Sequence, residues 1–401
     1  MLISNLYAHG VDFSGVITGH SLVRQQQNKG KDKNPFYSGI THTFFKICAA
    51  KTIGSNFEGG YCGIINPTLF PLGYVFQNNY MWFRWNPYGE FRAGNSYGLD
   101  VEWCTPVQKL VGMDGFVDEF YHNHSGYYAG LKSVASSEFA AKGTWISPLW
   151  QYGKNKFRIG FSWAPNTTYK GFRFAIAEKD EINYKGYLPI NYVNIWFGNN
   201  VKLLCSDHIT IAGQYKVEFP QTIIELAAAY LFGQSQVHER HDKDKKHALN
   251  DSHGYVLSGL ITYKNLTMAT EFYNNGTGKL PKTNLEGLTL RNAHKGTSGK
   301  ALNLGMKLSV SPKNHFCIGY QYTWSYLTDT ALSERQLLTA CIMRDFSENM
   351  AFFIKAGWIE SSIDANVVQK IKAQFPGQDI QGANHGWFVG TGMTVRFGDN
   401  V

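Results

Sequence analysis

The stretch Phe316–Trp324 reads FCIGYQYTW. One parity holds Phe316, Ile318, Tyr320, Tyr322 and Trp324; the other holds Cys317, Gly319, Gln321 and Thr323. Successive strand side chains point to opposite faces, so strict alternation of this kind marks a strand with one apolar face. Four further stretches repeat it. Ala301–Ser309 sets Leu302, Leu304, Met306 and Leu308 against Asn303, Gly305, Lys307 and Ser309. Gly254–Lys264 sets Tyr255, Leu257, Ile261 and Tyr263 against Ser258, Thr262 and Lys264. Trp387–Phe397 sets Trp387, Val389, Met393, Val395 and Phe397 against Gly390, Gly392, Thr394 and Arg396. Phe157, Ile159, Phe161 and Trp163 alternate with Arg158, Gly160 and Ser162. In four of the five, aromatic residues end the apolar face, at Tyr255/Tyr263, Phe316/Trp324, Trp387/Phe397 and Phe157/Trp163. Such pairs suit the two interfaces of a membrane.

The connections between such runs alternate in length. Short ones are expected at Thr52–Asn56, Cys104–Pro106, Ala164–Thr168, Phe219–Thr222, Lys264–Leu266, Ser311–Asn314 and Asp345–Asn349. Long ones are expected at Arg24–Phe36, Ile65–Gly94, Met113–Gly153, Lys179–Asp207, Gln234–His253, Asn275–Gly299, Ser325–Glu334 and Ile359–His385. Seven short and eight long connections join sixteen strands and put both termini on the short-turn side. Nothing in a soluble sandwich forces every second connection to be short, whereas a transmembrane barrel has short turns on one side and long loops on the other.

Composition narrows the classes further. Aromatics are 15% of the 401 residues and charged residues 17%, against roughly 25% charged in an ordinary soluble domain. The aromatic content excludes disorder. No run of about 18 apolar residues exists, so a bundle of membrane helices is excluded. The nearest stretch, Thr222–Phe232 (TIIELAAAYLF), is short and carries Glu225. The net charge of +8 is scattered, and its densest run, His238–His247 (HERHDKDKKH), mixes both signs. It reads as a solvated loop, and no nucleic-acid partner is expected. The N-terminus, MLISNLYAHGVDFSG, lacks the basic start and apolar core of a signal peptide.

Several phrases carry a resemblance. They are SNFEGGYCG (Ser55–Gly63), VQKLVGMDGFVDEF (Val107–Phe120), TYKGFRFAIAE (Thr168–Glu178), the hairpin GYVLSGLITYKNLTMATEFYNNG (Gly254–Gly276) and the closing GWFVGTGMTVRF (Gly386–Phe397). In these the chain resembles the general bacterial porins, most closely the α-proteobacterial type. The likeness runs over most of the chain in pattern and short phrases. It implies one porin-like β-barrel domain over 1–401: an all-β, transmembrane, antiparallel barrel of about sixteen strands with a long loop folded into the lumen. It also implies a homotrimer in the lipid bilayer of the bacterial outer membrane that passes small hydrophilic solutes and ions. The inserted loop would be Met113–Gly153, following a strand at Gln108–Gly112. The family typically ends on the aromatic itself, whereas here Gly398, Asp399, Asn400 and Val401 follow Phe397.

A diffusion pore needs a width and a field rather than a nucleophile. Charge on the lipid face at mid-depth costs roughly 2–4 kcal/mol, so inward is the default for strand charges. If Phe157, Ile159 and Phe161 face lipid, Lys156 and Arg158 face the lumen. By the same parity Arg173 (between Phe172 and Phe174), Lys46 (between Phe45 and Ile47) and Lys109 (beside Leu110) point inward. Opposite this basic wall, the loop that the resemblance places inside offers Asp114, Asp118 and Glu119. These seven residues are the expected pore constriction.

Six cysteines, at 48, 62, 104, 205, 317 and 341, form no CxxC. Cys48 and Cys62 are nearly symmetric about the turn Thr52–Asn56, and Cys317 and Cys341 about the loop Ser325–Glu334. Each pair is expected across neighbouring strands, as unbonded neighbours rather than as a disulfide. Catalytic signals are weak. His238-Glu239-Arg240-His241 is not HExxH, His122 and His124 read as surface residues, and GxSxG and P-loop patterns are absent. No enzyme activity, metal or cofactor is expected. Two other readings stay open: an outer-membrane barrel enzyme, and a soluble all-β carbohydrate-binding protein that would bury the aromatic parity.

Overall fold

A computed structural model of the chain describes residues 11–26, 36–53, 56–65, 76–96, 98–111, 142–166, 201–239, 246–248, 252–274, 299–326, 332–363, 365, 369 and 383–398. The strands are β1 (Val11–Gln26), β2 (Phe36–Ile53), β3 (Phe57–Ile65), β4 (Phe76–Trp85), β5 (Gly89–Asn95), β6 (Lys142–Ile146), β7 (Trp150–Tyr152), β8 (Asn155–Asn166) and β9 (Val201–Glu218). They continue as β10 (Thr222–Glu239), β11 (Lys246–Ala248), β12 (Ser252–Tyr263), β13 (Leu266–Asn274), β14 (Gly299–Ser311), β15 (Asn314–Tyr326), β16 (Leu332–Ser347), β17 (Met350–Ile363) and β18 (Ala383–Phe397). Two short helices, α1 (Leu99–Cys104) and α2 (Pro106–Val111), lie between β5 and β6.

All the strands belong to one antiparallel sheet, and β18 pairs back onto β1 with Phe397 opposite Gly15. β6 and β7 are two parts of one wall strand, because both pair with β8. Pro148 interrupts them, and Ser147 keeps the ladder intact across the gap through its backbone N–H to Ile159 O and its Oγ accepting from Ile159 N–H. A proline in a barrel wall is tolerated at such a break. β11 pairs only with β10, in line with β12, and continues that strand outward. With these joined, the wall is a closed barrel of sixteen strands.

The outer face is apolar. Phe157, Ile159, Phe161 and Trp163 are exposed while Gly160, Ser162 and Ala164 are buried. Tyr255, Leu257, Ile261 and Tyr263 are exposed beside buried Val256 and Ser258. Leu304, Ile342, Ile354, Val389 and Met393 extend the band around the barrel. The aromatic parity therefore faces outward, which the soluble reading did not allow. At the seam, Phe13, Phe45 and Phe397 pack within 5.4–6.2 Å of one another over Gly15, joining β18, β1 and β2 near the short-turn end.

Five short turns stand where the sequence puts them: between β2 and β3, and at 219–221, 264–265, 312–313 and 348–349. Two do not. The turns at 86–88 and 153–154 lie inside stretches read as long connections. Conversely, Cys104–Pro106 is not a barrel turn but the junction of α1 and α2, and Gln108–Gly112 is not a strand, since residues 106–111 are helical. β8 runs on to Asn166 and is paired on both edges, with β6/β7 and with β9, so Ala164–Thr168 does not turn the chain back beside it. The count of sixteen survives because three wall strands, β4, β5 and β6/β7, fall in the stretches expected as long connections, while the two expected strands that flank Cys104–Pro106 are replaced by helices and the one expected after Ala164–Thr168 lies outside the described residues.

Replacing outward Leu257 with Arg should cost roughly 2–4 kcal/mol of folding free energy. Denaturant titration of folding into lipid vesicles measures this. A loss below about 1 kcal/mol, the value expected near an interface, would mean that Leu257 does not sit at mid-depth in lipid.

Candidate functional site

The site is the lumen, and its shape begins with small residues. Where α1 and α2 cross the inner wall, the wall residues are Gly160, Ala212, Ala227, Ala229, Ala269, Ala301 and Gly305. A Cβ on Gly160 would stand 2.7 Å from Leu99 Cδ1 and 2.9 Å from Trp103 Cη2. One on Gly305 would stand 3.0 Å from both Val107 Cγ1 and Val111 Cγ2. The helices contact β8–β10 and β12–β15 on the face opposite the exposed apolar residues, so they lie inside the barrel. Leu99, Trp103 and Cys104 pack there against Ala227, Ala229, Leu231, Val256 and Tyr273.

Polar contacts fix the helices on two sides. Buried Glu271 of β13 accepts hydrogen bonds from the Val107 N–H at 2.5 Å, the Tyr273 hydroxyl at 3.1 Å and the Asn303 amide at 2.8 Å. Asn303 accepts in turn from Gln321. Pro106 has no N–H to leave unpaired at the first helical position, and a carboxyl meets the next N–H, so the start of α2 is satisfied from the wall. On the other side, Arg92 of β5 donates from Nη1 to Glu102 of α1 at 2.7 Å and from Nε to Glu90 at 2.6 Å. Its guanidinium lies 5.5 Å from the Tyr80 ring centroid. Lys142 of β6 donates to the Ser96 carbonyl just before α1.

The charges beside the helices interleave rather than segregate. Arg158 lies 4.6 Å over the Trp103 ring and donates from Nε to Gln214 at 2.8 Å. Toward the short-turn end, Glu218 pairs with Lys156 at 3.3 Å and with Lys216 at 3.2 Å, and Lys216 reaches Glu225 at 3.1 Å. Arg84 bridges Glu58 and Glu90. Among the described residues, every one of these cations except Arg158 has a carboxylate partner.

Of the seven sequence candidates, Arg158 is on the inner face of β8 against α1. Lys46 is on β2, opposite Ser14 and Ile64, with the parity of Cys48. Lys109 lies on α2, not on a wall strand, because the segment that carries it is helical. Asp114, Asp118, Glu119 and Arg173 lie outside the described residues. The inserted element starts earlier than Met113, with α1 at Leu99, and residues 142–146 and 150–152 of the expected loop are wall strand. Sequence reasoning missed Glu90, Arg92, Glu102 and Glu271. Glu90 and Arg92 share a parity in GEFRAGN, a signal that the loop assignment hid. Glu271 shares a parity with Thr267 and Ala269, against Leu266, Met268 and Phe272, and is legible as inward, but nothing local marks its partner 164 residues away.

The cysteine pairs stand directly opposite in register. Cys317 and Cys341 are free, but Cys48 and Cys62 are bonded, with Cα atoms 4.2 Å apart, against the expectation of unbonded neighbours. That spacing is that of a narrow, non-hydrogen-bonded cross-strand site, where side chains approach most closely.

Among solved structures, the chain is similar in fold to an anion-selective porin from Comamonas acidovorans, at 11% identity and TM-score 0.51, covering 96% of this chain and 99% of that one. It is similar at 11% identity and TM-score 0.51 to the trimer form of OmpT, an outer membrane protein of Vibrio cholerae, with 96% and 99% covered. It is similar at 11% identity and TM-score 0.50 to Salmonella typhi OmpF in complex with daunomycin, with 98% and 99% covered. No family model and no curated protein matches the chain. The fold is thus a porin-like barrel.

Replacing Glu271 with Ala should leave the barrel closed but strand the Val107, Tyr273 and Asn303 donors, at about 1–3 kcal/mol for each one left unpaired. Thermal unfolding in detergent should report the loss. Gly305→Val should instead push α2 off the wall, which shows as altered single-channel current rather than as loss of the folded barrel.

Proposed function

We propose that the chain is an outer-membrane porin, a passive diffusion channel for small hydrophilic solutes and ions. The observation that carries this is one closed barrel with an apolar outer face and a charged lumen narrowed by inserted helices. An apolar band about 25 Å tall is what the hydrocarbon of an outer membrane requires of such a barrel. The partners in this reading are the outer-membrane bilayer, two further copies in a homotrimer, and the solutes. The trimer form of OmpT supports the oligomeric part by analogy. The α-proteobacterial type of porin and a single domain over 1–401 belong to the same proposal. So does the absence of enzymatic activity.

Conduction would be governed by the charges that meet the water path. Arg158 is the described cation best placed to act, because its partners beside α1 are a neutral amide and an aromatic ring. Lys46 and Lys109, with Arg173 and the acidic set Asp114, Asp118 and Glu119, complete the proposed constriction. A basic wall facing acidic loop residues would set a transverse field across the opening, and local charge there rather than the overall +8 would decide selectivity.

Planar-bilayer recording tests the reading. The purified protein should give discrete conductance steps that scale with salt. Replacing Arg158 and Arg173 together by Gln should move the reversal potential toward cation selectivity, and replacing Asp114 and Asp118 by Asn should move it the other way. Folded protein that inserts without any steps overturns the channel. Steps with selectivity unchanged in both double variants overturn the residue assignment alone.

A further inference from the structure

On the inner face of β14–β17, one row crosses four strands. Lys307 stands opposite Cys317, Cys317 opposite Cys341, and Cys341 opposite Lys355. Cys317, Cys341 and Lys355 are 2%, 6% and 2% exposed. Both thiols are free. Nothing in the proposed channel uses two thiols between two lysines.

The ladder explains why this pair is not bonded while Cys48–Cys62 is. The Asp345 N–H donates to Lys313 O at 2.8 Å. In an antiparallel ladder, residue pairs that exchange hydrogen bonds alternate with pairs that exchange none. Stepping in twos along the β15–β16 register puts His315/Met343 and Cys317/Cys341 at hydrogen-bonded sites. There the Cβ atoms stand about 5.5 Å apart. A disulfide wants them within about 4.5 Å. Two same-face sulfurs held too wide for a mutual bond can still share an ion between them.

The surroundings select the ion. Thiolate and thioether ligands suit soft cations such as copper(I). Met343 follows Cys341 on the same parity, one pair nearer the turn. His315 is not a free ligand, since its Nδ1 meets Ser309 Oγ and its Nε2 meets Asp345 Oδ2, both at 3.0 Å. Two thiolates around a monovalent ion carry one net negative charge, which Lys307 and Lys355 offset. Around a divalent ion the complex is neutral and presents the two ammonium groups with no charge to offset.

We propose that Cys317 and Cys341 form a two-thiolate site for a monovalent soft metal ion, with Lys307 and Lys355 stabilising the anionic complex. On binding, two S–H bonds break, two metal–sulfur bonds form, two protons leave to solvent, and nothing is oxidised or reduced.

The probe is copper(I), titrated anaerobically against a chromophoric copper(I) chelator. The protein is the full chain in detergent carrying Cys104→Ser and Cys205→Ser, with the Cys48–Cys62 disulfide intact. One copper per chain is expected, with X-ray absorption showing sulfur ligation. Adding either Cys317→Ser or Cys341→Ala should abolish it, and using both substitutions guards against one that fails to fold. Lys307→Met with Lys355→Met should keep the stoichiometry but weaken affinity on the order of tenfold or more. The proposal is overturned if the parent binds no copper, if copper binding survives loss of either thiol, or if thiol counting on the isolated protein finds Cys317 and Cys341 joined.

Discussion

Lipid offers no hydrogen bonds, so every backbone N–H and C=O in the wall must find its partner inside the wall. That one demand closes the barrel, with β18 on β1, and it propagates inward. A closed sheet gives every wall residue one of two fates, lipid or lumen, and a one-residue slip exchanges them. The sequence meets this with strict alternation. Where alternation breaks, at Ser147-Pro148-Leu149, Ser147 restores the ladder by bonding Ile159 twice.

Once closed, the barrel encloses a space that side chains alone do not fill. Aromatic residues lie over facing glycines on one side: a Cβ at Gly357 would meet the Phe388 ring at 2.4 Å, and one at Gly392 would meet the Phe353 ring at 2.4 Å. On the other side, glycine and alanine make room for two helices. The helices are too short to stand alone. Their stability comes from the apolar packing of Leu99, Trp103 and Val107 on that wall, from Glu271 meeting the first free N–H of α2, and from Arg92 holding the Glu102 side chain of α1. A buried carboxyl such as that of Glu271 is tolerated only because three donors converge on it.

The parts legible in sequence were those where one parity is wholly apolar, as in FCIGYQYTW. β4 was missed because FQNNYMWFRW has Tyr80 and Trp82 on its inward parity as well as Met81, Phe83 and Trp85 on its outward one, so no alternation shows. The inward aromatics there serve the lumen, with Tyr80 beneath Arg92. Gln108–Gly112 (QKLVG) reads as strand because a short apolar run does not distinguish strand from helix. Pro106, which the same reading puts in a turn, is the available signal, since proline at the first helical position is favoured. The cysteine registers were legible from symmetry about their connections. Which pair is bonded was not, because that depends on the phase of the hydrogen-bond ladder, and phase leaves no mark on side-chain type.

For the proposed channel, the interleaving of charge matters more than the excess of basic residues. A guanidinium facing a carboxylate at 2.6–2.7 Å, as Arg92 faces Glu90 and Glu102, projects little field into the water beside it. Lys156 and Lys216 are likewise tied to Glu218 and Glu225. These paired charges are therefore structural: they hold α1 and the β8–β10 wall in place. Arg158 differs because an aromatic face and an amide position it without neutralising it. The parity rule that reads Lys156 and Arg158 as equivalent inward cations fails at this point, because the difference between them is made by Glu218 on one side and Trp103 on the other. A helix that arrives from outside the local strand pattern thus decides which of these two cations is held by a ring and an amide and which by a carboxylate.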